Sequence, residues 1–381
     1  MRIAFFSDSY HPYVSGVVRS LEITTRRLED LGHEVWVIAP RYPGAGRDEG
    51  RIRRMPSLPV SLPNGFRLAV PRLGYLASWM EKVGFDLIHS HSPFLLGSVA
   101  FRASRRLGLP LVFTHHTLYD QYVHYAGYLG TLLRPLVIRH VLKYADRCAA
   151  VVCPSEDVRR VLSERGLRAR MEVIPTGLDP TDYEPPASGV FPEGLGNAPG
   201  TPVCLYVGRL GAEKNLDLLL RAFAVTTRRV PGARLVLVGD GPFRGRLEEL
   251  SVRMGLGGVV TFAGLCTRER VKSWYASADI FLFASQTETQ GLVILEAMAA
   301  GLPVAAVEAS GVREVVRHGV DGFLVSPDPD TLGNAAAGIL TEPQLRKTMA
   351  EAAKARAREF SAAAMTGRLL SLYRTVQPSA R

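Results

Sequence analysis

Short apolar runs alternate with amphipathic stretches along almost all of this chain. In the first half RIAFFS (2–7), EVWVIA (34–39), FDLIHS (85–90), LVFT (111–114), AAVVC (149–153) and MEVIP (171–175) are rich in β-branched and aromatic residues. The second half repeats the arrangement with VCLYVG (203–208), RLVLVG (234–239), VVTFAG (259–264), DIFLFA (279–284), PVAAV (303–307) and GFLV (322–325). Apolar runs of this length, separated by helix-period segments, predict parallel strands covered on both faces by helices. The pattern predicts an α/β fold of two Rossmann-like doubly wound domains, over 1–180 and 202–358. A linker rich in Pro and Gly joins them over 181–201, and a helix over 359–381, carrying Leu369, Leu370 and Leu372, packs back on the first domain.

Ligands of open α/β sheets sit outside the carboxyl ends of the strands, so those ends hold the candidate chemistry. The stretch SQTETQGLVILEAMAAG (285–301) sets Glu288 and Glu296 on either side of a strand-to-helix turn that contains Gln290, Gly291 and Leu292. Amides at that helix N-terminus suit an anion, and the two carboxylates suit hydroxyl groups; a surface loop with two solvated glutamates is the plainer reading. In GRLGAEKN, Arg209 and Lys214 follow another strand end, and together they suit a diphosphate, the one as a planar fork and the other as a point charge. The VGDGP turn with Gly239 and Gly241 is a weak signal by itself.

In the first half, Gly16 opens a helix with Val17, Leu21 and Leu28 at helical spacing, which fits either a backbone approach to phosphate or a plain turn. His11 just upstream reads as a loop residue. His115 and His116 leave a strand end, placed for polar work on a substrate or for a structural hydrogen bond. The tyrosines that follow, Tyr119, Tyr122, Tyr125 and Tyr128, recur every three residues; packing explains them, or contact with an acceptor.

Composition narrows the class. With 47% hydrophobic and 22% charged residues the chain reads as an ordinary globular protein, and no run approaches the ~18 apolar residues of a membrane span. The chain enters its first strand at Arg2 without a leader pattern, so a cytoplasmic location is expected. Four cysteines without CxxC spacing predict buried thiols and no metal site. Of the net charge of +10, residues 1–150 carry +8, from 17 Arg and 2 Lys against 11 acidic residues. The cations gather as Arg51, Arg53 and Arg54, as Arg102, Arg105 and Arg106, and as the helical stripe Arg139, Lys143 and Arg147. Each basic residue near anionic lipid contributes about 1 kcal/mol, so the clusters fit a membrane surface, or merely solvated faces. No nucleic-acid motif accompanies the charge.

GRLGAEKN, the VGDGP turn, SQTETQGLVILEAMAAGLPV and IPTGLD (174–179) together resemble the retaining glycosyltransferases of family 4, and the likeness runs from Met1 to about Tyr373. The resemblance implies the GT-B fold, an acceptor-side first domain and a nucleotide-sugar-binding second domain, with the site in the cleft between them. It also implies transfer from a nucleotide sugar with retention, and neither a cofactor nor a required metal. It assigns Arg209 and Lys214 to the donor diphosphate, Glu288 to the donor sugar and Glu296 to the ribose. The backbone around Gly291 and Leu292 goes to the phosphates, with Gln290 beside them. Leu265 is placed next to the base and Gly16 next to the phosphate or acceptor. His116, with Thr117, matches the family's His-Thr pair and is assigned to the reacting sugar, which leaves His115 structural; Tyr119, Tyr122 and Tyr125 fall on the acceptor side.

Within the family, HHTLYDQYVHY, SDSYHPYVSGVVRS, IPTGLD and Gln290 look most like bacterial enzymes that place glucose on diacylglycerol. That implies UDP-glucose as donor, a lipid acceptor and a peripheral position at the inner face of an anionic membrane. Ser15, where a glycine is frequent, and GVRE (311–314), where a Pro often precedes the Glu, depart from the pattern. A phosphatidylinositol mannosyltransferase using GDP-mannose is the second reading, ahead of a sugar-nucleotide epimerase and of a basic membrane-binding module without activity.

Overall fold

All twelve apolar runs form strands in the computed structural model, which describes residues 1–13, 15–44, 48–59, 67–71, 73–118, 127–179, 183 and 200–377. The chain divides into two compact units, Met1–Gly177 with Ala362–Arg381, and Leu178–Ser361. Of the stretch 181–201, the described residues are Tyr183, Gly200 and Thr201.

The first unit runs β1 (Arg2–Phe6), α1 (Gly16–Asp30), β2 (Glu34–Pro40), β3 (Asp48–Glu49), β4 (Ile52–Met55), β5 (Ser57–Pro59), β6 (Arg67–Ala69), α2 (Leu73–Val83), β7 (Leu87–Ser90), α3 (Leu95–Leu107), β8 (Leu111–Thr114), α4 (Gly127–Ala145), β9 (Ala150–Cys153), α5 (Glu156–Glu164) and β10 (Met171–Val173). Its main sheet has the order β10-β9-β8-β7-β1-β2-β4-β3, parallel except where β3 turns back on β4. The central strands are buried on both faces, which is why they read as continuous apolar runs. Chain order reverses between β1 and β7, so the loops after these strands diverge and leave a crevice there.

Ser15 caps α1, its side chain accepting from Val18 N, and Val18, Leu21 and Leu28 bury the helix's apolar stripe. The last helix, α13 (Ala362–Val376), belongs to this unit; its Leu369, Leu370, Leu372 and Tyr373 join Ile3, Phe5, Leu21 and Val37 in one core cluster.

One basic cluster is engaged by the fold, with Arg54 buried, Arg53 half-buried and Arg51 exposed. Arg54 is buried on β4, donating to the Pro40 carbonyl at 3.3 Å and lying over the Tyr10 ring; Arg53 covers Tyr75 and Trp79; Arg51 pairs with Glu29 at 3.2 Å. These three are therefore not a solvated stripe. Alternation on a strand, not the helix spacing of the other clusters, decides where they point. Arg102, Arg105, Arg106, Arg139, Lys143 and Arg147 are exposed.

The second unit runs β11 (Val203–Val207), a 3₁₀ turn (Ala212–Lys214), α6 (Leu216–Arg229), β12 (Arg234–Val238), α7 (Arg244–Arg253), β13 (Val260–Gly264), α8 (Arg268–Ser277), β14 (Ile280–Phe283), α9 (Leu292–Ala299), β15 (Val304–Val307), α10 (Ser310–Arg313), β16 (Gly322–Val325), α11 (Pro329–Thr341) and α12 (Pro343–Glu359). Its all-parallel sheet, β13-β12-β11-β14-β15-β16, has the Rossmann order 3-2-1-4-5-6 counted within the unit. The reversal falls between β11 and β14, the strands that deliver the Arg209–Lys214 and Glu288–Glu296 segments.

Candidate active site

In the second unit, the loop after β11 and the loop after β14 meet through one ion pair. Lys214 Nζ donates to Glu288 Oε1 at 2.6 Å, with only 17% and 16% of the two side chains exposed. Burial alone pushes the Glu288 carboxyl up. The Lys214 ammonium and a hydrogen bond from Ser285 outweigh it and hold the group below the usual glutamate range, so Glu288 is ionised at neutral pH. Arg209 shares this corner, its Nη1 4.0 Å from the buried Glu213 carboxylate, and the Tyr206 hydroxyl donates to the Arg209 carbonyl at 3.0 Å.

The Arg209 loop is held from the next strand. Leu210 N donates to Asp240 O and Phe243 N to Leu210 O, both at 3.0 Å. A side chain at Gly239 has no room, since a Cβ there would sit 2.0 Å from the Gly208 carbonyl oxygen. The VGDGP turn therefore serves the site by letting two strand-end loops touch.

After β14 the chain turns through Gly291 at φ +75° into α9. Its N-cap is Gly291, which has no side chain to accept from the first N–H groups as Ser15 does for α1. Gln290 is buried, and its backbone is packed so closely on Gly311 that a Cβ there would come within 2.5 Å of Gln290 N. One turn into α9, Glu296 accepts from Tyr183 Oη at 2.6 Å and from Tyr275 Oη at 3.1 Å. Leu265, directly after β13, is 78% exposed at a strand's carboxyl end, an apolar surface open to a flat ring.

The first unit gathers polar groups on its own reversal point. Asp8, beyond β1, accepts from Ser92 Oγ at 2.6 Å and from Leu96 N at 2.9 Å; burial raises its carboxyl above the usual range in spite of these bonds. His91, beyond β7, stacks on His116, beyond β8, with Nδ1 2.8 Å from His116 Nε2. Neighbouring His89 hydrogen bonds Tyr373 Oη at 2.5 Å and Thr114 Oγ1 at 2.7 Å. Burial, with the nearby rings, pushes His89 and His116 down to about 3 and His91 well below its ordinary value. All three are neutral at physiological pH, which makes His116 a hydrogen-bonding group and not a charged acid. His115 is buried on the other side, against Val141, Leu142 and Leu162. His11 pairs with Glu22.

The sequence-assigned residues of the second unit thus stand at or just beyond the carboxyl edge of one sheet, on strand-end loops and on the first turns of α9. In the first unit Gly16 is exposed at the start of α1 and His116 half-buried beyond β8. Tyr119, Tyr122 and Tyr125 lie outside the described residues. Sequence reasoning passed over Asp8, His91, Glu213, Tyr183 and Tyr275. The HSHSP run after β7 was the available signal for His91; nothing local marks the tyrosines. Among the described residues, no group of three or more His, Cys, Asp or Glu stands close enough to hold a metal ion.

Two Rossmann-like units, with a cation pair and two carboxylates at the reversal point of the second, define a nucleotide-sugar glycosyltransferase of the GT-B fold. Residues 14–182 match Glycosyltransferase Family 4 and residues 191–356 match the glycosyl transferases group 1. The alpha-monoglucosyldiacylglycerol synthase of Streptococcus pneumoniae is 31% identical over 354 residues, covering 91% of this chain and 80% of that protein. A GDP-mannose-dependent alpha-mannosyltransferase of Mycobacterium tuberculosis is 32% identical, covering 90% and 89%. The crystal structure of Anabaena Alr3699/HepE in complex with UDP-glucose matches with a TM-score of 0.79 at 24% identity, covering 98% of this chain and 100% of that one. The chain belongs to the retaining glycosyltransferases of family 4.

Proposed function

We propose that this enzyme transfers glucose from UDP-glucose to 1,2-diacylglycerol, with retention of configuration, at an anionic membrane surface on the cytoplasmic side. The observation that carries the reading is the 31% identity, over 91% of the chain, with a protein named for making alpha-monoglucosyldiacylglycerol. Arg209 and Lys214 hold the donor diphosphate and offset the charge that grows on its oxygen as the bond to the sugar's anomeric carbon breaks. Preorganised donors of this kind are each worth roughly 3–4 kcal/mol of barrier. Glu288, kept ionised by Lys214, accepts from sugar hydroxyls, while Glu296 binds the ribose and Leu265 covers the base. The Gly291 and Leu292 amides, with Gln290 behind them, support the phosphates; Gly16 lies at the phosphate or acceptor, and neutral His116 hydrogen bonds the reacting sugar. The acceptor hydroxyl forms the new bond on the face the diphosphate leaves, and its proton passes to the departing phosphate. No metal is required, so activity should survive a chelator.

Exposed Arg139 and Lys143 on α4, with Leu133 and Leu136 on the same helix, support the membrane contact. Among the described residues no helix is long and apolar enough to cross a bilayer. The test is incubation with UDP-glucose or GDP-mannose and with diacylglycerol or phosphatidylinositol in anionic micelles, products being identified by mass spectrometry. Glucosyldiacylglycerol is the expected product. Mannosylation of phosphatidylinositol instead would establish the second reading, which the 32% identity with a GDP-mannose-dependent enzyme favours.

A further inference from the structure

Between Arg209 and Lys214, the two cations of the second unit's corner, the chain places a carboxylate. Glu213 stands on the 3₁₀ turn Ala212–Lys214 with only 4% of its side chain exposed, and its Oε1 lies 4.0 Å from Arg209 Nη1. Its backbone carbonyl accepts from Ser285 Oγ at 3.1 Å and so holds the loop after β14. Burying a carboxylate is costly unless charge or hydrogen bonds compensate it, and Arg209 supplies a compensating charge. Gly211 shows how closely the carboxylate is fitted. A Cβ there would come 2.4 Å from Glu213 Oε2 and 2.7 Å from Oε1, although the backbone at Gly211, φ −121° and ψ 165°, is one that any residue adopts. The space taken by the carboxylate, and not the backbone, is what excludes a side chain at 211.

We propose that Glu213 is a positioning residue that aims the Arg209 guanidinium at the donor's sugar-linked phosphate, and that the bare Cα of Gly211 leaves it the room to do so. This rests on the reading of Arg209 as a diphosphate ligand. A guanidinium is a rigid, planar fork on a flexible stem. A fixed negative charge to one side sets the direction of the fork before the ligand arrives, so less rotamer freedom is lost on binding. An anion that only diluted the positive field would act with the opposite sign, and its removal would strengthen diphosphate binding. Alanine at 211 is an independent probe, because the far end of a glutamate side chain moves more readily than the backbone beside it.

The experiment measures binding of UDP and UMP, or of the guanosine pair if GDP-mannose proves to be the donor, to the wild type and to R209A, E213Q, G211A and E213Q/G211A. The ratio of the two affinities reads the grip on the second phosphate; a general loosening of the fold lowers both affinities and leaves the ratio. R209A should cut the ratio by on the order of 30-fold. E213Q and G211A should each cut it about fivefold, and the double variant no further than either alone. If R209A lowers the ratio while E213Q keeps or raises it, the positioning role is wrong and the diphosphate reading stands. If R209A keeps the full ratio, the reading of Arg209 fails and the proposal with it. Losses that multiply in the double variant refute the link between Gly211 and the carboxylate. Should E213Q fail to fold, G211A decides alone, since an unchanged ratio there refutes the positioning.

Discussion

Replacing Lys214 by Met separates what the Lys214–Glu288 pair does for the fold from what it does for the reaction. The side chains are 17% and 16% exposed and their charged atoms 2.6 Å apart, so removing the ammonium leaves a carboxylate mostly out of water with its chief partner gone. Breaking a fully buried pair costs about 3–5 kcal/mol, and the residual exposure here lowers that to roughly 2–3 kcal/mol. Folding of the second unit can be followed by the fluorescence of Trp274, buried in that unit's core, during denaturant unfolding. With the lysine gone, burial governs Glu288 and its titration moves above the ordinary range, which raises the pH of the acid limb of any remaining kcat/KM profile. The double variant K214M/E288Q restores most of the stability, because no charge is then left unpaired. It restores none of the turnover. Loss of a cation opposite the departing diphosphate should lower kcat by about 10²–10³ in the single and in the double variant. A K214M enzyme that keeps kcat within threefold of the wild type would falsify the assignment to the leaving group. A double variant as unstable as K214M would refute the electrostatic account of the pair.

Acid should unfold the first unit before the second. The fold depresses His89, His91 and His116, so nothing changes above pH ~6.5, where both states are neutral; below it the unfolded chain takes up protons that the folded one refuses, at about 1.4 kcal/mol per histidine per pH unit. Asp8, raised by burial, works in the opposite sense and returns part of this. The net loss by pH 5 is on the order of 4–6 kcal/mol, comparable with a domain's whole stability, and a flat denaturation midpoint from pH 7.5 to 5 by the fluorescence of Trp36 and Trp79 would contradict it. Gly239→Ala should cost at least about 2 kcal/mol, because the new methyl would meet the Gly208 carbonyl at 2.0 Å and drive the Arg209 loop away; an unshifted melting temperature would count against the interlocked loops. Neutralising Arg139 and Lys143 together as glutamines should weaken sedimentation with anionic vesicles about 30-fold, at ~1 kcal/mol per charge, and leave binding of the nucleotide as it was. Equal sedimentation by the double variant would move the membrane contact elsewhere.

How far the sequence carried the reading depends on which force decides each feature. The parallel strands were legible because burial on both faces writes a continuous apolar run, as in IFLF of β14, whatever the neighbours are. The short strands β3 to β6 were not. IRRM of β4 places two arginines in a sheet, and its pairing with β2 is set by partners far along the chain. The same blindness hid the burial of Arg54, whose cost is met by the Pro40 carbonyl and the Tyr10 ring. Charge in a sequence marks a residue as polar and leaves its partner unstated.

The site divides along the same line. Glu288, Glu296 and Gly291 were found because their spacing is fixed by one turn and one helix, and local geometry survives in a local string. Lys214 reaches Glu288 across two adjacent strands, a contact that the order of strands in the sheet creates and no motif contains. His91 reaches His116 in the same way, from β7 to β8, and which ring nitrogen of His116 carries the proton depends on that neighbour. Spacing therefore identifies the groups assigned to the substrate, while groups that set their ionisation and orientation come from other strands. The Tyr183–Glu296 bond is the extreme case, and it makes the carboxylate's aim a property of the folded unit and not of the motif that announces it.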